Sequence, residues 1–534
     1  MDAINAFASA YLNGDGQLNS FFPNQWDNEQ ALLERARYLS TRQYDREVLV
    51  QHIEQYMSRF GISTTAEKNL NLLRDNAVVV IGGQQAGVLM GPLYSLYKMI
   101  SIIKLAKQDS EKLGIPVVPV FWIAGEDHDY REVNHIYLKN NETILKSLYP
   151  TVPKSKAMIS DINMNAKETT AWIENVMASL GETVHTNQLL QWVQSAIEAS
   201  ETMTDFFAKL ATDLFGDTGL LLVDSGQKEF RQLAEPFYRQ FIQQHEEISH
   251  AVLNEQEKIK QLGFTPALEV SLRNTNLFYY DLQEKNRTLL EYDGLYYHGK
   301  NSNLSFSRDQ IMDILSAEPA SFSTNVVTRP LFQEKLFPVL KFVAGPGEIA
   351  YWAELNTAFA VVGEEMPPVV PRLTFTLIER QVESQMQALE LSLADVLRAG
   401  CLQERDVAIA KLLNQDVLAN YNVLKESLAA NHQRWAESAL TVDQSLLSML
   451  EKNKQILEEQ LAFMQQKIET THGRLHHELA KKYNEVESSL HPMNGVQERV
   501  LNMLYFFNKY GHDWLDYLLE SDFEYSVDHY LLRL

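Results

Sequence analysis

Three carboxylates and an imidazole stand side by side in the segment Gly125-Glu126-Asp127-His128-Asp129, directly after the apolar run Val117–Ile123. The run is typical of a buried strand, so the charged residues come at a strand end. Crowding spreads the pKa values of such groups, and an imidazole titrates near neutrality. The segment could supply a general acid or base, bind a ligand, or be a solvated acidic loop. We expect His128 and Asp129 to be catalytic and Glu126 and Asp127 to bind substrate or nucleotide.

A divalent metal is an alternative ligand for this segment, because Glu132 and His135 follow closely. The spacing of these residues matches no standard metal site. We therefore predict no metal ligand.

A second polar loop is small and rich in amides. Gly82-Gly83-Gln84-Gln85-Ala86-Gly87 follows the apolar run from Ala77 to Ile81, and a helical pattern comes next. Exposed backbone N–H groups at a helix start suit a phosphate or carboxylate. The loop lacks the Lys-Ser/Thr ending of a P-loop and the spacing of the dinucleotide fingerprint, so a tight turn without a ligand is the alternative. We expect binding by Gly83, Gln84, Gln85, Gly87 and Gly91.

Tyr94 and Lys98 are four residues apart and share one face of the following helix. We expect Tyr94 to bind substrate and Lys98 to be catalytic, as a phosphate contact. The alternative for Lys98 is a side chain that runs along the helix edge to place its charge in water. Arg329 and Lys341 are the other basic residues best placed to meet an anion, and Arg329 precedes Pro330, which predicts extended backbone.

A third loop repeats the pattern of strand, polar loop and helix. The apolar run from Val339 to Val343 ends in Ala344-Gly345-Pro346-Gly347-Glu348, and a helix through Tyr351 follows. In an open parallel sheet, ligands bind outside the carboxyl ends of the strands. We therefore expect Gly345, Gly347, Glu348 and Tyr351 to join the same site.

These runs predict an α/β protein with a parallel sheet and insertions. The apolar run from Gly219 to Asp224 predicts a further strand, and Asp293-Gly294 predicts a hairpin. The expected organisation is N-terminal helices and the first part of the core (1–139), a helical insertion without strands (140–215), core (216–265), a strand-rich insertion (266–325), the end of the core (326–380) and a helical domain (381–534).

The C-terminal part carries a heptad pattern. No glycine or proline occurs from Cys401 to His472, and apolar residues recur at heptad spacing from Leu447 to Leu475. About four heptads predict a coiled coil over about 443–490. The alternative is one long helix packed on its own domain.

Composition limits the partners of the chain. Its 534 residues carry 70 acidic against 47 basic side chains, a net charge of −23, and they contain no dense basic block, so we expect no nucleic-acid partner. An anionic substrate would need basic residues concentrated in a cleft. The single Cys401 excludes an intramolecular disulfide and is more often inert than catalytic. The N-terminus lacks a basic signal-peptide region and no apolar run reaches ~20 residues, so we expect a cytoplasmic protein without a membrane partner.

The chain resembles the bacillithiol biosynthesis cysteine-adding enzymes, the BshC family. The resemblance covers essentially the whole chain, and the string Trp122-Ile-Ala-Gly-Glu-Asp-His-Asp129 is its most specific part. The other matching stretches are Gly83 to Gly87, Gly91 to Tyr94, Asn134-His135, Asn325-Val326, Arg329-Pro330, Gly345 to Tyr351, Gln497 to Arg499 and Lys509 to Gly511.

The resemblance implies a Rossmann-like core similar to class I aminoacyl-tRNA synthetases, two connecting-peptide insertions and a coiled-coil domain that forms a homodimer. It adds Asn134 to the expected binding residues. The implied reaction is the last step of bacillithiol synthesis, in which ATP, with Mg²⁺, drives the joining of cysteine to the amine of glucosaminyl-malate. The malate carboxylates would explain Arg329 or Lys98 in the cleft.

The activation chemistry and the activity itself have alternatives. The chain has neither the His-Ile-Gly-His signature nor a Lys-Met-Ser-Lys-Ser loop of those synthetases, so an adenylate and an acyl phosphate both stay open. A non-catalytic nucleotide- or sugar-binding scaffold of the same pathway is the second function class. A metal-dependent hydrolase built on the Glu126 to Asp129 segment is the third.

Overall fold

The computed structural model describes residues 5–412, 415–522 and 525–534. Its helices are α1 (Ala6–Leu12), α2 (Glu29–Ser40), α3 (Arg46–Ser58), α4 (Thr64–Asp75), α5 (Tyr94–Leu113), α6 (Tyr130–Val133), α7 (Ala166–Leu180), α8 (Thr186–Glu198), α9 (Met203–Phe215), α10 (Lys228–Leu233), α11 (Glu235–Gln243), α12 (His245–Gln261), α13 (Arg308–Ala317), α14 (Thr328–Leu336), α15 (Pro346–Trp352), α16 (Asn356–Val361), α17 (Arg380–Ala388), α18 (Leu393–Ala399), α19 (Leu402–Leu412), α20 (Gln415–Leu440), α21 (Leu447–Leu490), α22 (Gln497–Val500), α23 (Met503–Tyr510) and α24 (Asp513–Glu520).

The strands are β1 (Val78–Gln84), β2 (Val117–Ile123), β3 (His135–Asn140), β4 (Thr143–Leu148), β5 (Leu221–Asp224), β6 (Asn274–Asp281), β7 (Asn286–Tyr292), β8 (Tyr296–Gly299), β9 (Ser305–Ser307), β10 (Phe322–Thr324), β11 (Val339–Ala344), β12 (Val369–Pro371), β13 (Thr374–Ile378) and β14 (His529–Arg533). By contacts, the described residues form two compact units. The first comprises 5–140, 145–377 and 497–534, and the second comprises 141–144 and 378–496.

The core of the first unit is a parallel sheet in the order β12-β11-β1-β2-β5. Apolar residues of β1 and all of β2 are buried, because helices cover both faces of such a sheet. Counted from β1, the chain first adds β2 and β5 on one side and then returns to add β11 and β12 on the other. This is the doubly wound order 3-2-1-4-5, whose switch point lies between β1 and β11. The predicted α/β class and Rossmann-like core are confirmed.

The segment between β2 and β5 corrects one prediction. Residues 140–215 were expected to hold no strand, but β4 lies there and pairs with β3. Most side chains of β4 are exposed, so its sequence lacks the apolar alternation that identifies a half-buried strand.

The segment between β5 and β11 carries an antiparallel sheet in the order β10-β6-β7-β8-β9. The predicted hairpin at Asp293-Gly294 joins β7 and β8, and Asp293 Oδ1 accepts hydrogen bonds from the backbone N–H groups of Leu295 and Tyr296. Gly294 has φ +102°, a conformation that favours glycine. This sheet supplies Arg287 to the site described below.

The second unit is helical. His432 on α20 lies 3.2 Å (Nε2 to Oδ1) from Asn453 on α21, as expected of two antiparallel helices joined by a short turn. Helices α17 and α18 and the end of α21 share an apolar core that also includes Cys401. Burial raises the pKa of the Cys401 thiol to about 12, and Glu487 adds to this shift. The thiol is thus kept protonated, which agrees with an inert cysteine.

The predicted heptad positions of α21 are largely exposed within one chain. Leu457 is 37% exposed and Met464 is 54% exposed, whereas Leu450 is buried. Residues 497–534, which the prediction included in the helical domain, are grouped by contacts with the first unit. No helix in the described parts of the chain is long and apolar enough to cross a membrane.

Candidate active site

A cavity of about 650 Å³ opens at the carboxyl ends of β1, β2 and β11, at the switch point of the parallel sheet. The three loops singled out by sequence meet in its wall. The lining contains these predicted residues: Gly83, Gln84, Gln85, Tyr94, Lys98, Asp127, His128, Asp129, Arg329, Gly345, Gly347, Glu348 and Tyr351.

Four predicted site residues lie elsewhere. Gly87 and Gly91 line a neighbouring cavity of about 380 Å³. Asn134 lines neither cavity, and its backbone carbonyl accepts a hydrogen bond from Tyr149 at 2.7 Å. Glu126 is buried behind the larger cavity, where its carboxylate contacts Arg329, Ser225 and Thr324. This position indicates that Glu126 is a partner of Arg329 and not a ligand contact.

Arg329 is held by the first two carboxylates of the charged segment. Its Nε lies 2.7 Å from Glu126 Oε1 and its Nη2 lies 2.5 Å from Asp127 Oδ1. Burial opposes ionisation of Asp127, but Arg329 and Arg287 outweigh it and lower the pKa of Asp127. The same two carboxylates raise the pKa of Arg329 against its own burial. Arg329 is therefore a fixed cation.

The backbone of Arg329 differs from the prediction. Arg329 was expected to be extended because Pro330 follows it, but both lie in the first turn of α14. First-turn N–H groups have no partner within a helix, so proline costs no hydrogen bond there.

Arg287 fixes the orientation of His128. Its Nε donates to Ser323 Oγ at 3.0 Å and its Nη2 to the Thr324 carbonyl at 2.6 Å. Its Nη1 donates to His128 Nδ1 at 3.2 Å. A guanidinium only donates, so Nδ1 must accept and the proton of the neutral ring is on Nε2. Burial and then the charge of Arg287 lower the pKa of His128.

Lys98 links two of the loops. Its side chain is 1% exposed, and its Nζ donates to the Gly83 carbonyl at 2.6 Å and forms an ion pair with Glu348. Glu348 also accepts from the backbone N–H of Gly345 at 2.6 Å. Burial lowers the pKa of Lys98, and Glu348 partly offsets this effect. The lysine thus neither points to water along the helix edge nor stands free. One N–H of its ammonium has no acceptor among the described residues.

Two further arginines come from the end of the sheet and from the C-terminal segment. Arg372, directly after β12, forms paired hydrogen bonds of 2.8 and 2.7 Å with Glu498, and its guanidinium lies 5.9 Å from the ring centre of Tyr94. Arg499 is exposed and lines the cavity, and it has no ion pair with the residues that the structure describes. Lys341, an expected anion contact, is instead buried in an ion pair with Asp109 at 2.9 Å.

The cavity concentrates positive charge in an acidic protein. Its lining holds five cationic side chains and four carboxylates, whereas the whole chain has 47 basic and 70 acidic residues. The cationic residues are Lys98, Arg287, Arg329, Arg372 and Arg499, and the carboxylates are Asp127, Asp129, Glu269 and Glu348. Within the described residues, no cluster of three or more His, Cys, Asp or Glu side chains could hold a metal ion. This arrangement suits an anionic ligand.

Comparison with known proteins places the chain in a family. Residues 1–373 match the model "Bacillithiol biosynthesis BshC, N-terminal Rossmann-like domain", and residues 375–534 match "Bacillithiol biosynthesis BshC, C-terminal coiled-coil domain". The chain belongs to the BshC family.

Full-length relatives support the assignment. Each is named "Putative cysteine ligase BshC". The protein of Geobacillus sp. (strain WCH70) is 37% identical over 100% of this chain and 98% of its own length. That of Geobacillus thermodenitrificans (strain NG80-2) is 40% identical over 97% and 96%. The Bacillus licheniformis protein is 35% identical over 99% and 98%. The predicted family and the coiled-coil domain are therefore confirmed.

Three residues of this site were not predicted from the sequence. Arg287 lies within a strand of the insertion sheet, and no local motif marks it. Arg372 follows the apolar strand β12, so the rule that polar residues after strands form the site could have found it. Arg499 stood in a stretch that resembles the family, but its role was not predicted.

Proposed function

We propose that this protein is an ATP-dependent ligase that joins the carboxyl group of cysteine to the amine of glucosaminyl-malate, the last step of bacillithiol synthesis. The observation that carries the proposal is the cationic cavity at the switch point of the Rossmann-like sheet. Such a position is where doubly wound sheets bind ligands. The names of the family and of its full-length relatives supply the cysteine and the pathway.

The malate group fits the arginines that keep a free nitrogen. Nη1 of Arg329 and Nε of Arg372 have no acceptor among the described residues. Both side chains are fixed by carboxylates through their other nitrogens. A guanidinium that is already oriented can bind a carboxylate with little loss of conformational entropy. We assign these two residues to the malate carboxylates.

Nucleotide use follows from the chemistry of amide formation. A carboxylate does not condense with an amine in water until one of its oxygens becomes a better leaving group. Cysteine oxygen can attack the α-phosphorus of ATP and release pyrophosphate, or the γ-phosphorus and release ADP. The amine nitrogen then forms a bond to the acyl carbon, the carbon–oxygen bond breaks, and AMP or phosphate leaves. The two routes differ in their nucleotide product.

The lining residues fit a nucleotide with its magnesium ion. Lys98 supplies positive charge for phosphate oxygens. Mg²⁺ is commonly bound by one or two carboxylates together with substrate phosphates. Glu269 is exposed in the lining and has no ion pair among the described residues, so it would provide such an oxygen.

Asp129 and His128 receive distinct roles in the amide-forming step. The attacking amine must lose a proton, and the free Asp129 carboxylate can accept it. His128 carries its proton on Nε2, because Arg287 donates to Nδ1. Its Nε2–H can therefore donate a hydrogen bond to the oxygen that gains charge as the acyl carbon is attacked. Lys98 also holds Glu348 and the carbonyl of Gly83 in place.

Identification of the products tests the function. The full-length protein is incubated with ATP, Mg²⁺, cysteine and glucosaminyl-malate, and bacillithiol and nucleotides are quantified. We expect bacillithiol in equal amounts with either AMP and pyrophosphate or ADP and phosphate. A strain without the protein should accumulate glucosaminyl-malate and lack bacillithiol. Normal bacillithiol in that strain would contradict the proposal.

The proposal extends to assembly and location. The exposed heptad positions of α21 suit a second copy of the same helix, so we propose a homodimer through the coiled coil. Sedimentation of the full-length protein and of the Leu457→Lys, Met464→Lys variant tests this, with a dimer expected only for the natural sequence. We place the reaction in the cytoplasm, a reducing compartment that keeps the cysteine thiol free.

A further inference from the structure

The smaller cavity of about 380 Å³ adjoins the larger one and shares part of its wall. Gln85, Tyr94 and Arg499 line both. A ligand in each cavity would therefore meet the other at these three side chains. The proposed reaction joins two organic substrates, so two adjoining cavities with a common wall are what it needs.

The smaller cavity presents one negative and one positive side chain. Glu132 and Arg499 are both exposed in its lining, and Gln85 Nε2 donates to Glu132 Oε2 at 3.0 Å. Arg499 has no carboxylate partner in the described parts of the chain. A zwitterionic amino acid carries the complementary charges on adjacent groups.

The remaining lining is mixed, with the polar side chains of Ser95, His135 and Asn502 beside apolar ones. Val133 and Ile136 are buried and offer a surface for a short uncharged side chain. Gly87 and Gly91 approach so closely that a Cβ on Gly87 would lie 2.8 Å from Gly91 Cα. Only glycine at residue 87 leaves the loop this compact.

The loop between these glycines is fixed in an uncommon conformation. Leu89 and Met90 have φ of 50° and 68°, in the left-handed region that costs non-glycine residues energy. The side chain of Asn502 donates to the carbonyls of Leu89 and Gly91 at 2.9 and 2.6 Å. These bonds hold the loop in the shape that bounds the cavity.

We propose that the smaller cavity binds the amino acid substrate, with its ammonium at Glu132 and its carboxylate at Arg499, and that the larger cavity binds the anionic acceptor. The assignment rests on the proposed ligase function. It places the carboxyl carbon of cysteine at the shared wall, where an amine in the larger cavity can reach it. It also directs the CH₂–SH group toward Val133 and Ile136.

The variant Glu132→Gln tests the ammonium contact. It removes the charge but keeps an oxygen that can accept from Gln85. A hydrogen bond to a charged group contributes about 1.5–3 kcal/mol, so we expect the KM for cysteine to rise about 10- to 150-fold. The KM for glucosaminyl-malate should change less than about twofold. Glu174→Gln, at an exposed carboxylate of α7 outside both cavities, is the matched control.

An analogue sharpens the test. 3-Mercaptopropionate lacks the ammonium group of cysteine, so the natural protein should strongly prefer cysteine. Glu132→Gln should lose most of that preference, because the carboxylate that discriminates is gone. An unchanged preference, or a rise in the KM for glucosaminyl-malate instead, would overturn the assignment.

Calorimetric titration of cysteine into the full-length protein, without ATP or acceptor, separates this inference from the ligase function. Cysteine binding that is weakened about tenfold or more by Glu132→Gln supports the cavity assignment even if no amide forms. Equal binding by both proteins, or no cysteine binding by the natural protein, contradicts it. Amide formation with an unchanged KM for cysteine would refute the cavity assignment and leave the ligase function standing.

Discussion

Arginines held by carboxylates occur in two different settings in the first unit. Arg35 in α2 has a side chain without exposure, and all three guanidinium nitrogens donate to the protein, to the Val339 and Glu365 carbonyls and to Glu334 at 2.5 Å. Arg329 and Arg372 are also held by carboxylates, but each keeps one nitrogen without an acceptor among the described residues. A cation with every nitrogen engaged belongs to the fold, whereas one that lines a cavity and keeps an unpaired nitrogen can bind a ligand.

Two partly buried histidines differ in the same way, since one lies in the cavity lining and the other does not. His52 packs beside Phe230 with a ring distance of 5.1 Å, and its buried Nε2 has no partner among the described residues. His128 lies in the cavity and accepts from Arg287. Burial lowers the pKa of both. Only His128 has a proton directed by a neighbour, so the two should affect different properties of the protein.

The largest expected effect is on catalysis. Asp129→Asn should lower kcat about 10²- to 10⁴-fold, the usual contribution of a general base. The free energy of unfolding should not change, because Asp129 is exposed and has no ion pair with described residues. Steady-state kinetics and urea unfolding provide the two measurements. Asp75→Asn, at the exposed end of α4, is the control, and a kcat within threefold of the natural protein would remove Asp129 from the mechanism.

The buried ion pair between Arg35 and Glu334 should affect stability and not catalysis. Arg35→Met leaves Glu334 buried without its cation, which should cost about 3–5 kcal/mol of unfolding free energy. The kcat of the folded fraction should equal that of the natural protein, since Arg35 lies outside the cavity lining. Urea unfolding and active-site-normalised kinetics check the two statements. A loss of kcat with normal stability would contradict the conclusion that Arg35 serves the fold and not the reaction.

Sequence patterns predicted the strands and the loops at their ends because these depend on neighbouring residues. Val117–Ile123 and the charges after it needed no tertiary information. Arg287 could not be found this way, since it reaches His128 from a different sheet, 159 residues away in sequence. The inward role of Glu126 was missed for the same reason, because adjacent carboxylates look alike until Arg329 is placed between them.

Arg499→Ala should separate binding from stability. Arg499 is exposed and unpaired among the described residues, so its removal leaves no buried charge behind. We expect unchanged unfolding and a KM for cysteine raised about tenfold or more, in line with the loss of one charged hydrogen bond. Arg398→Ala, an exposed arginine of α18, should change neither quantity. A marked loss of stability would show that Arg499, like Arg35, serves the fold and does not bind a ligand.

His52 should make stability fall in acid. Its pKa is about 4 in the folded protein, against about 6.5 in the unfolded chain. As pH falls below 6.5, the unfolded chain takes up the proton first, so the folded state loses stability. The loss between pH 6.5 and 5 should be about 2 kcal/mol, and it should be absent in His52→Gln. Urea unfolding at both pH values measures the difference, and an equal pH dependence in the two proteins would contradict it.

The smallest effect is expected when both residues of a buried ion pair are replaced together by apolar residues. Lys341 and Asp109 are buried against each other, and Asp109 Oδ2 has no partner among the described residues. Desolvation of two charges is costly, so apolar replacements of similar size are often neutral or stabilising. Asp109→Leu with Lys341→Met should therefore stay within about 1 kcal/mol of the natural stability and keep full activity.

The same exchange at the cavity, Glu498→Leu with Arg372→Met, should preserve folding and abolish bacillithiol formation, because the free Nε of Arg372 is lost with the pair. Equal activity in the two double variants would show that Arg372 has no role beyond its ion pair.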